Sequence, residues 1–302
     1  MEKLLYTGKA KQMWQTEDPA VLRVVYLDQA TALNGKKKDH FTGKGKAANA
    51  ISSLVFGYLM KQGIETHFIK KLSTNEDLVK KCEMFPLEFV TRNVIAGHFA
   101  SRYGLSEGEE LPSPVEETFY KSDELNDPFI NESATIALEI ASKEELAQMW
   151  GICRKVNNLL KPLFAKANLR LVDFKLEFGR LSDGKIILAD EFSPDNCRLW
   201  DLTTMQHMDK DVYRRKLADL TQTYDEVLER LEAVFDPQGE TIKDAIHSLG
   251  HDEVTAVKVG KFFDVTLDTN EDEVASAVKE IADQLLVNFN METYTYQVME
   301  EA

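Results

Sequence analysis

The apolar positions alternate along the first part of the chain. Leu4-Leu5-Tyr6-Thr7-Gly8-Lys9-Ala10-Lys11-Gln12-Met13-Trp14 and Val21-Leu22-Arg23-Val24-Val25-Tyr26 predict strands that turn through Gly8. After Gly45 the spacing changes: up to Met60, Ile51, Leu54, Val55, Tyr58 and Leu59 recur at intervals of three and four, the period of an amphipathic helix. Further strands are expected at Glu65–Lys71 and Leu87–Arg92, and further helices at Glu144–Ala167 and Asp211–Ala233. A hairpin is expected to join Arg170–Phe178 to Lys185–Glu191 through Ser182-Asp183-Gly184. Beyond residue 235 the pattern reads helix (Thr241–Leu249), strand (Ala256–Leu267), helix (Asp272–Leu286) and strand (Thr293–Met299), with Gly250 ending the first helix.

Charge changes at the same place. Of the net −15, residues 236–302 carry 15 acids and 4 lysines, a balance of −11, while residues 1–235 carry 36 acids and 32 bases, a balance of −4. At the step lies Phe235-Asp236-Pro237-Gln238-Gly239, where proline disfavours helix in the residue before it and glycine permits a turn. Two units are therefore expected, 1–235 and 236–302. The second is small enough to need packing on the first or on another chain. At 43% apolar and 29% charged residues the composition is that of a folded, soluble protein. The acidic balance argues against nucleic acid as a partner, which requires a clustered basic surface. No stretch approaches the roughly 18 uninterrupted apolar residues of a membrane span, and the opening MEKLLYTGK has no apolar leader core. The expectation is a cytoplasmic protein with no membrane partner. Cys82, Cys153 and Cys197 are far apart and form no CxxC pair, so they read as reduced thiols.

The densest chemistry lies in Val172-Asp173-Phe174-Lys175-Leu176-Glu177-Phe178-Gly179 and Leu188-Ala189-Asp190-Glu191-Phe192-Ser193-Pro194-Asp195. In a strand Asp173, Lys175 and Glu177 share one face and Val172, Phe174, Leu176 and Phe178 the other. Pairing across the hairpin brings Asp190 or Glu191 towards Glu177, two carboxylates beside a lysine. Such hard oxygen ligands suit Mg2+ carrying nucleotide phosphates. The same residues also fit an exposed face with a cross-strand ion pair. The loop Ser193-Pro194-Asp195-Asn196-Cys197-Arg198, rich in turn formers and polar side chains, favours the functional reading. Tyr6-Thr7-Gly8-Lys9-Ala10-Lys11 could bring backbone N–H groups and two lysines onto a phosphate chain, or be a hairpin with solvated lysines; no Walker A loop is present. Thr91-Arg92-Asn93-Val94-Ile95-Ala96-Gly97-His98 sends an arginine from a strand, for a phosphate or carboxylate or for a buried ion pair. Gly43-Lys44-Gly45-Lys46-Ala47-Ala48 matches G-x-G-x-x-A only superficially, since no apolar strand leads into it. His247 and His251 have helical spacing but Gly250 between them, and read as surface histidines.

Taken in order, YTGKAKQMW, PLEFVTRNVIAGHFASRYG, NDPFIN, LVDFKLEFG, LADEFSPDNCRLWD and MDKDVYR resemble the SAICAR synthetase family of purine biosynthesis, from residue 2 to about 233. The resemblance implies an α+β fold with a strand-rich N-terminal ATP-binding lobe, similar to ATP-grasp proteins, and a mixed α/β second lobe. It implies ATP-dependent ligation of L-aspartate to the carboxylate of carboxyaminoimidazole ribonucleotide, releasing ADP and phosphate through an acyl phosphate. By the same resemblance Gly8, Lys9, Ala10 and Lys11 form the phosphate-binding turn over ATP, Met84 to Leu87 lies beside the adenine, and Glu177 and Asp190 hold Mg2+. Lys175 and Lys121 lie near nucleotide phosphates, with Lys175, Asp173 and Lys121 in the catalytic set and Asp173 on the substrate base or amine. Arg92 and Arg198 grip the ribonucleotide, Ser193 and Asp195 stand in the loop around it, and Lys210, Asp211 and Arg214 face the aspartate. The position after Gly97 is usually serine in this family; here it is His98, kept in the substrate set. A small-molecule kinase would use similar lysine and carboxylate chemistry without aspartate.

The tail, DPQGETIKDAIHSLGHDEVTAVKVGKFFDVTLD and onward, resembles the PurS family, the small subunit of phosphoribosylformylglycinamidine synthase, as a small α+β unit. That family begins with a strand before this segment, whereas Tyr224 to Leu231 has a helical pattern, leaving a sheet edge to be covered. The tail is expected either to dock on subunits of that synthase or to make the chain a homo-oligomer.

Overall fold

The structure, a computed structural model, describes residues 3–32, 37–248, 254, 257, 259–260, 262–263, 265–267, 271–282 and 295–297. The chain divides into two compact units, Met1–Phe235 and Asp236–Ala302.

In the first unit the alternating run forms β1 (Lys3–Thr7), β2 (Lys11–Gln15) and β3 (Val21–Tyr26). A tight turn joins the first two, the Gly8 N–H donating to the Lys11 carbonyl at 2.8 Å. The short pair β4 (Gln29–Ala32) and β5 (Lys37–His40) precedes α1 (Lys44–Lys61). Gly45 lets α1 approach the sheet, since a Cβ there would stand 2.8 Å from the Tyr26 carbonyl oxygen. Then β6 (Phe68–Lys71) and β7 (Glu76–Lys80) complete a five-stranded antiparallel sheet in the order β1-β2-β3-β7-β6.

The second sheet is organised by one long strand. Ahead of it come β8 (Glu83–Met84), β9 (Leu87–Val94), α2 (Gly97–Tyr103), β10 (Glu110–Tyr120), α3 (Glu132–Ala137) and α4 (Lys143–Lys166). The long strand is β11 (Leu169–Arg180), followed by β12 (Ile186–Ala189), β13 (Cys197–Asp201), α5 (Asp211–Arg215) and α6 (Leu220–Phe235). Strands β8, β9, β12 and β13 all pair antiparallel with β11, and β10 adds to β9. Leu169, Leu171, Phe174, Leu176 and Phe178 of β11 meet Leu146, Met149, Cys153, Val156 and Phe164 of α4 and Ile51, Val55 and Leu59 of α1 in one buried core. Ser142 starts α4 with a capping box shared with Glu145. The two sheets are tied together where Thr66 bridges Leu188. Antiparallel sheets with separate helices make the unit α+β, as expected.

Two expectations are corrected. The helix Asp211–Ala233 is two helices: Lys216 turns left-handed at φ 57° after α5, and the Asp219 carboxylate accepts the Gln222 N–H at 2.9 Å to start α6. Strand β10 was not foreseen, because Leu111-Pro112-Ser113-Pro114 interrupts its pattern. The prolines are accommodated where the register to β9 shifts, between Glu110 and Val115.

In the second unit α7 (Pro237–Ser248) and α8 (Glu271–Ile281) are described. The segment read as a turn opens a helix instead: Asp236 accepts the Gly239 N–H at 3.0 Å, and Pro237 sits in the first turn, where an N–H is not needed. Leu249, Gly250 and His251, residues 283–286 of the expected second helix, and most of the strands expected at Ala256–Leu267 and Thr293–Met299 lie outside the described residues. Among the described residues no helix is long and apolar enough to cross a membrane.

Candidate functional site

Strand register builds one half of the site. Asp173 of β11 stands opposite Arg92 of β9 on one side and Arg198 of β13 on the other. The ion pairs follow the register: Arg92 Nη1 donates to Asp173 at 2.9 Å and Arg198 Nη1 at 2.8 Å. Glu117 of β10 holds Arg92 Nε at 2.6 Å and Arg102 at 2.5 Å. On α5, Asp211 takes Arg198 Nε at 2.9 Å and Arg214 at 2.7 Å. Burial alone would raise the Asp211 carboxyl, but Arg198 and Arg214 bring it down to about 2. Arg198 also presses on Gly97, where a Cβ would stand 2.4 Å from its Nη2. His98 is exposed beside this cluster; partial burial, then Arg198, Arg92, Arg214 and Arg102, push its imidazole below the usual range. Asp173 is thus engaged between two guanidinium groups, which it orients.

The other half follows from the alternation along β11. Lys175 Nζ reaches Glu177 at 2.9 Å and Glu88 at 2.6 Å, and Lys121 also pairs with Glu177. Glu177 pairs with Ala189 across the hairpin, which places Asp190 just past the end of β12, in a left-handed conformation at φ 64°. Lys11 Nζ lies 2.5 Å from Asp190 and 3.0 Å from Glu191. Burial opposes the charge on Asp190, but Lys11, Lys175 and Lys121 overcome it and hold the carboxyl far below the usual range. Nearby His67 is buried, and burial and then Lys11 push its imidazole down to about 3. Gly8, Lys9 and Ala10 lie in the turn before Lys11, with Lys9 in an exposed pair with Asp123 at 2.6 Å. Met84 is exposed, while Leu87 is wholly buried in the core.

The 193–198 loop is fixed from within. Ser193 donates to Glu191 at 2.6 Å and accepts the Asp195 N–H at 3.1 Å. Asp195 is buried between Lys44, Lys210 at 3.1 Å and the Tyr224 hydroxyl at 3.2 Å. Both residues are turned inward and brace the loop, rather than lining an open face. Lys44, Glu88 and Glu117 join these charge networks without having been singled out from the sequence, while Glu191, named there as the alternative to Asp190, pairs with Lys11 as well. The signal for Lys44 was a lysine between two glycines, set aside with the dinucleotide motif it failed to match.

Glu177, Asp190, Glu88 and Glu191 offer only carboxylate oxygens, held by the ammonium groups of Lys11, Lys121 and Lys175. These residues fit a hard divalent cation such as Mg2+. His207, Asp209 and Asp211 also lie close together, with candidate ligand atoms within 4.8 Å of one another. Their ligand atoms are already engaged: His207 Nδ1 by the Trp200 indole, Asp209 by the Leu199 and Asp211 N–H groups, Asp211 by arginines. His247 Nε2 lies 2.6 Å from the Val254 carbonyl.

The model of the family described as SAICAR synthetase matches residues 4–231, and that of PurS, described as phosphoribosylformylglycinamidine (FGAM) synthase, matches residues 229–300. A phosphoribosylaminoimidazole-succinocarboxamide synthase of Limosilactobacillus fermentum is 71% identical over 235 residues, 78% of this chain and 98% of the relative. The crystal structure of the enzyme of that name from Ehrlichia chaffeensis superimposes with a TM-score of 0.75 at 40% identity, covering 76% of this chain and 99% of that one. A SAICAR synthetase in complex with ADP gives 0.73 at 46% identity, covering 75% and 96%.

Proposed function

The chain belongs to the SAICAR synthetase family, and from that premise we propose that it joins L-aspartate to carboxyaminoimidazole ribonucleotide at the expense of ATP, in the cytoplasm. The observation that carries this reading is the adjacency of two charge systems along β11. Lysines and carboxylates gather around Glu177 and Asp190, and arginines gather around Asp173.

A carboxylate is a poor electrophile. Its oxygen attacks the γ-phosphorus of ATP, ADP leaves, and the acyl phosphate has a leaving group. The aspartate amine then attacks the acyl carbon, losing a proton, and phosphate departs. Most of the catalysis is positioning and charge neutralisation. Lys11 and the Gly8–Ala10 turn, with Lys121 and Lys175, face the nucleotide phosphates, and the stretch from Met84 to Leu87 lies beside the adenine. Glu177 and Asp190 hold Mg2+, which screens phosphate charge when bound. Arg92, Arg198 and His98 receive the ribonucleotide, oriented by Asp173, and Lys210, Asp211 and Arg214 flank the aspartate. Ser193 and Asp195 keep the loop beneath them in place.

The test is ADP release by the purified protein with Mg2+ and ATP, leaving out each substrate in turn. Release that needs both, with the succinocarboxamide formed, is expected. Release with the ribonucleotide alone would indicate a kinase instead, and no release would overturn the reading. For the tail, the family match at residues 229–300 supports docking on phosphoribosylformylglycinamidine synthase subunits. Co-purification with those subunits is expected. Tail deletion that changes only the mass of a homo-oligomer would replace docking with self-association.

A further inference from the structure

Glu107 lies in the loop between α2 and β10, flanked by Gly104 at φ 65° and Gly108 at φ 108°. The main chain is tied at both ends of the loop, the Leu105 N–H donating to the Ala100 carbonyl and the Gly108 N–H to the Ile95 carbonyl, each at 2.9 Å, so Glu107 withdraws by its side chain. The Glu107 carboxylate joins the two segments assigned above to substrate binding. Its Oε1 accepts the Gly97 N–H at 2.7 Å, and its two oxygens take the Arg215 guanidinium at 2.9 and 2.7 Å. The pair is at the rim, with side-chain exposures of 30% for Glu107 and 38% for Arg215. A main-chain N–H together with a two-point guanidinium is a grip that serves a phosphate as well as a carboxylate.

The surrounding charges point the same way. The five guanidinium groups of Arg92, Arg102, Arg198, Arg214 and Arg215 outnumber by one the four carboxylates that pair with them, Asp173, Glu117, Asp211 and Glu107. Asp209, behind them, is pushed up to about 7 by burial and by Asp211, and His98 is held down by the arginines. Withdrawing Glu107 leaves about two positive charges unmatched, close to the charge of a phosphate monoester at neutral pH.

We infer that Glu107 competes with the ribonucleotide's phosphate for the Gly97 N–H and the Arg215 guanidinium, its side chain turning out to solvent as the phosphate binds. The residue thereby sets the affinity for this substrate, and the inference rests on the reaction proposed above. The full chain is compared with its Glu107→Gln variant by steady-state kinetics, and by calorimetric titration with inorganic phosphate. The expected result is a fall of about three- to tenfold in ribonucleotide KM, no change in ATP KM, and tighter phosphate binding. A ribonucleotide KM that is unchanged or raised would overturn the inference and leave the ligase reading intact. If the wild-type chain turns over no ribonucleotide, the ligase reading fails, and the phosphate titration decides alone: tighter binding in the variant upholds the competition and unchanged binding removes it.

Discussion

Asp190 owes its pairing with Lys11 to its backbone as much as to its carboxylate, since its left-handed conformation falls just past the end of β12. Glu177→Gln and Asp190→Asn are expected to lower kcat at least about a hundredfold, with melting temperature retained, as both remove charge from the proposed metal site. Wild-type turnover in either would remove that residue from the set. Asp77 is a different kind of carboxylate. It is 2% exposed, and burial, only partly offset by Asn49, Lys71 and Ser53, raises it to about 6. The folded state therefore favours its protonated form. Its contribution to stability is full below about pH 4 and is lost as pH rises through 6. Asp77→Asn should flatten stability across that window and gain about 1–2 kcal/mol at pH 7.5, read from urea unfolding at several pH values. A variant with the wild-type pH slope would show that Asp77 does not titrate there.

At the level of elements, β11 was legible from Asp173 onward, where alternation puts core on one face and charge on the other. Val172, expected on the face of Phe174, Leu176 and Phe178, packs with Trp200 instead, because the bulge there shifts the alternation and brings Leu169 and Leu171 into the main core. The Lys175–Glu177 pair is where that alternation places it. Strand β10 and the break between α5 and α6 were not legible. Prolines at a register shift look like loop, and Lys216 in a left-handed turn looks like any lysine on a helix. Long-range partners such as Lys44 with Asp195 or Glu117 with Arg92 carry no local pattern at all. The left-handed position after α5 gives a direct check: Lys216→Gly should stabilise the chain by about 0.5–1 kcal/mol, measured by thermal melting. A loss of stability would mean that the lysine side chain contributes more than the conformational strain costs.

For the whole molecule, the Limosilactobacillus fermentum relative is matched over 98% of its own length within 235 residues of this chain, so its length ends near where the second unit begins. A chain stopped after Phe235 is expected to keep kcat/KM within about twofold, as a compact unit with its own core should. A larger loss would tie the tail to catalysis. The β9-β11-β13 ladder carries one last consequence. The bulge that leaves Val172 unpaired between the Leu171–Leu199 and Asp173–Arg198 pairs sets Asp173 between Arg92 and Arg198 and turns Val172 into the cluster that holds Trp200. A slip of one residue would exchange charge for core, so misregistered chains cannot persist as well-packed but inactive molecules. After dilution out of denaturant, recovery of catalysis and burial of the Trp200 indole should therefore follow a single time course, and renaturation yield can be read directly from regained activity.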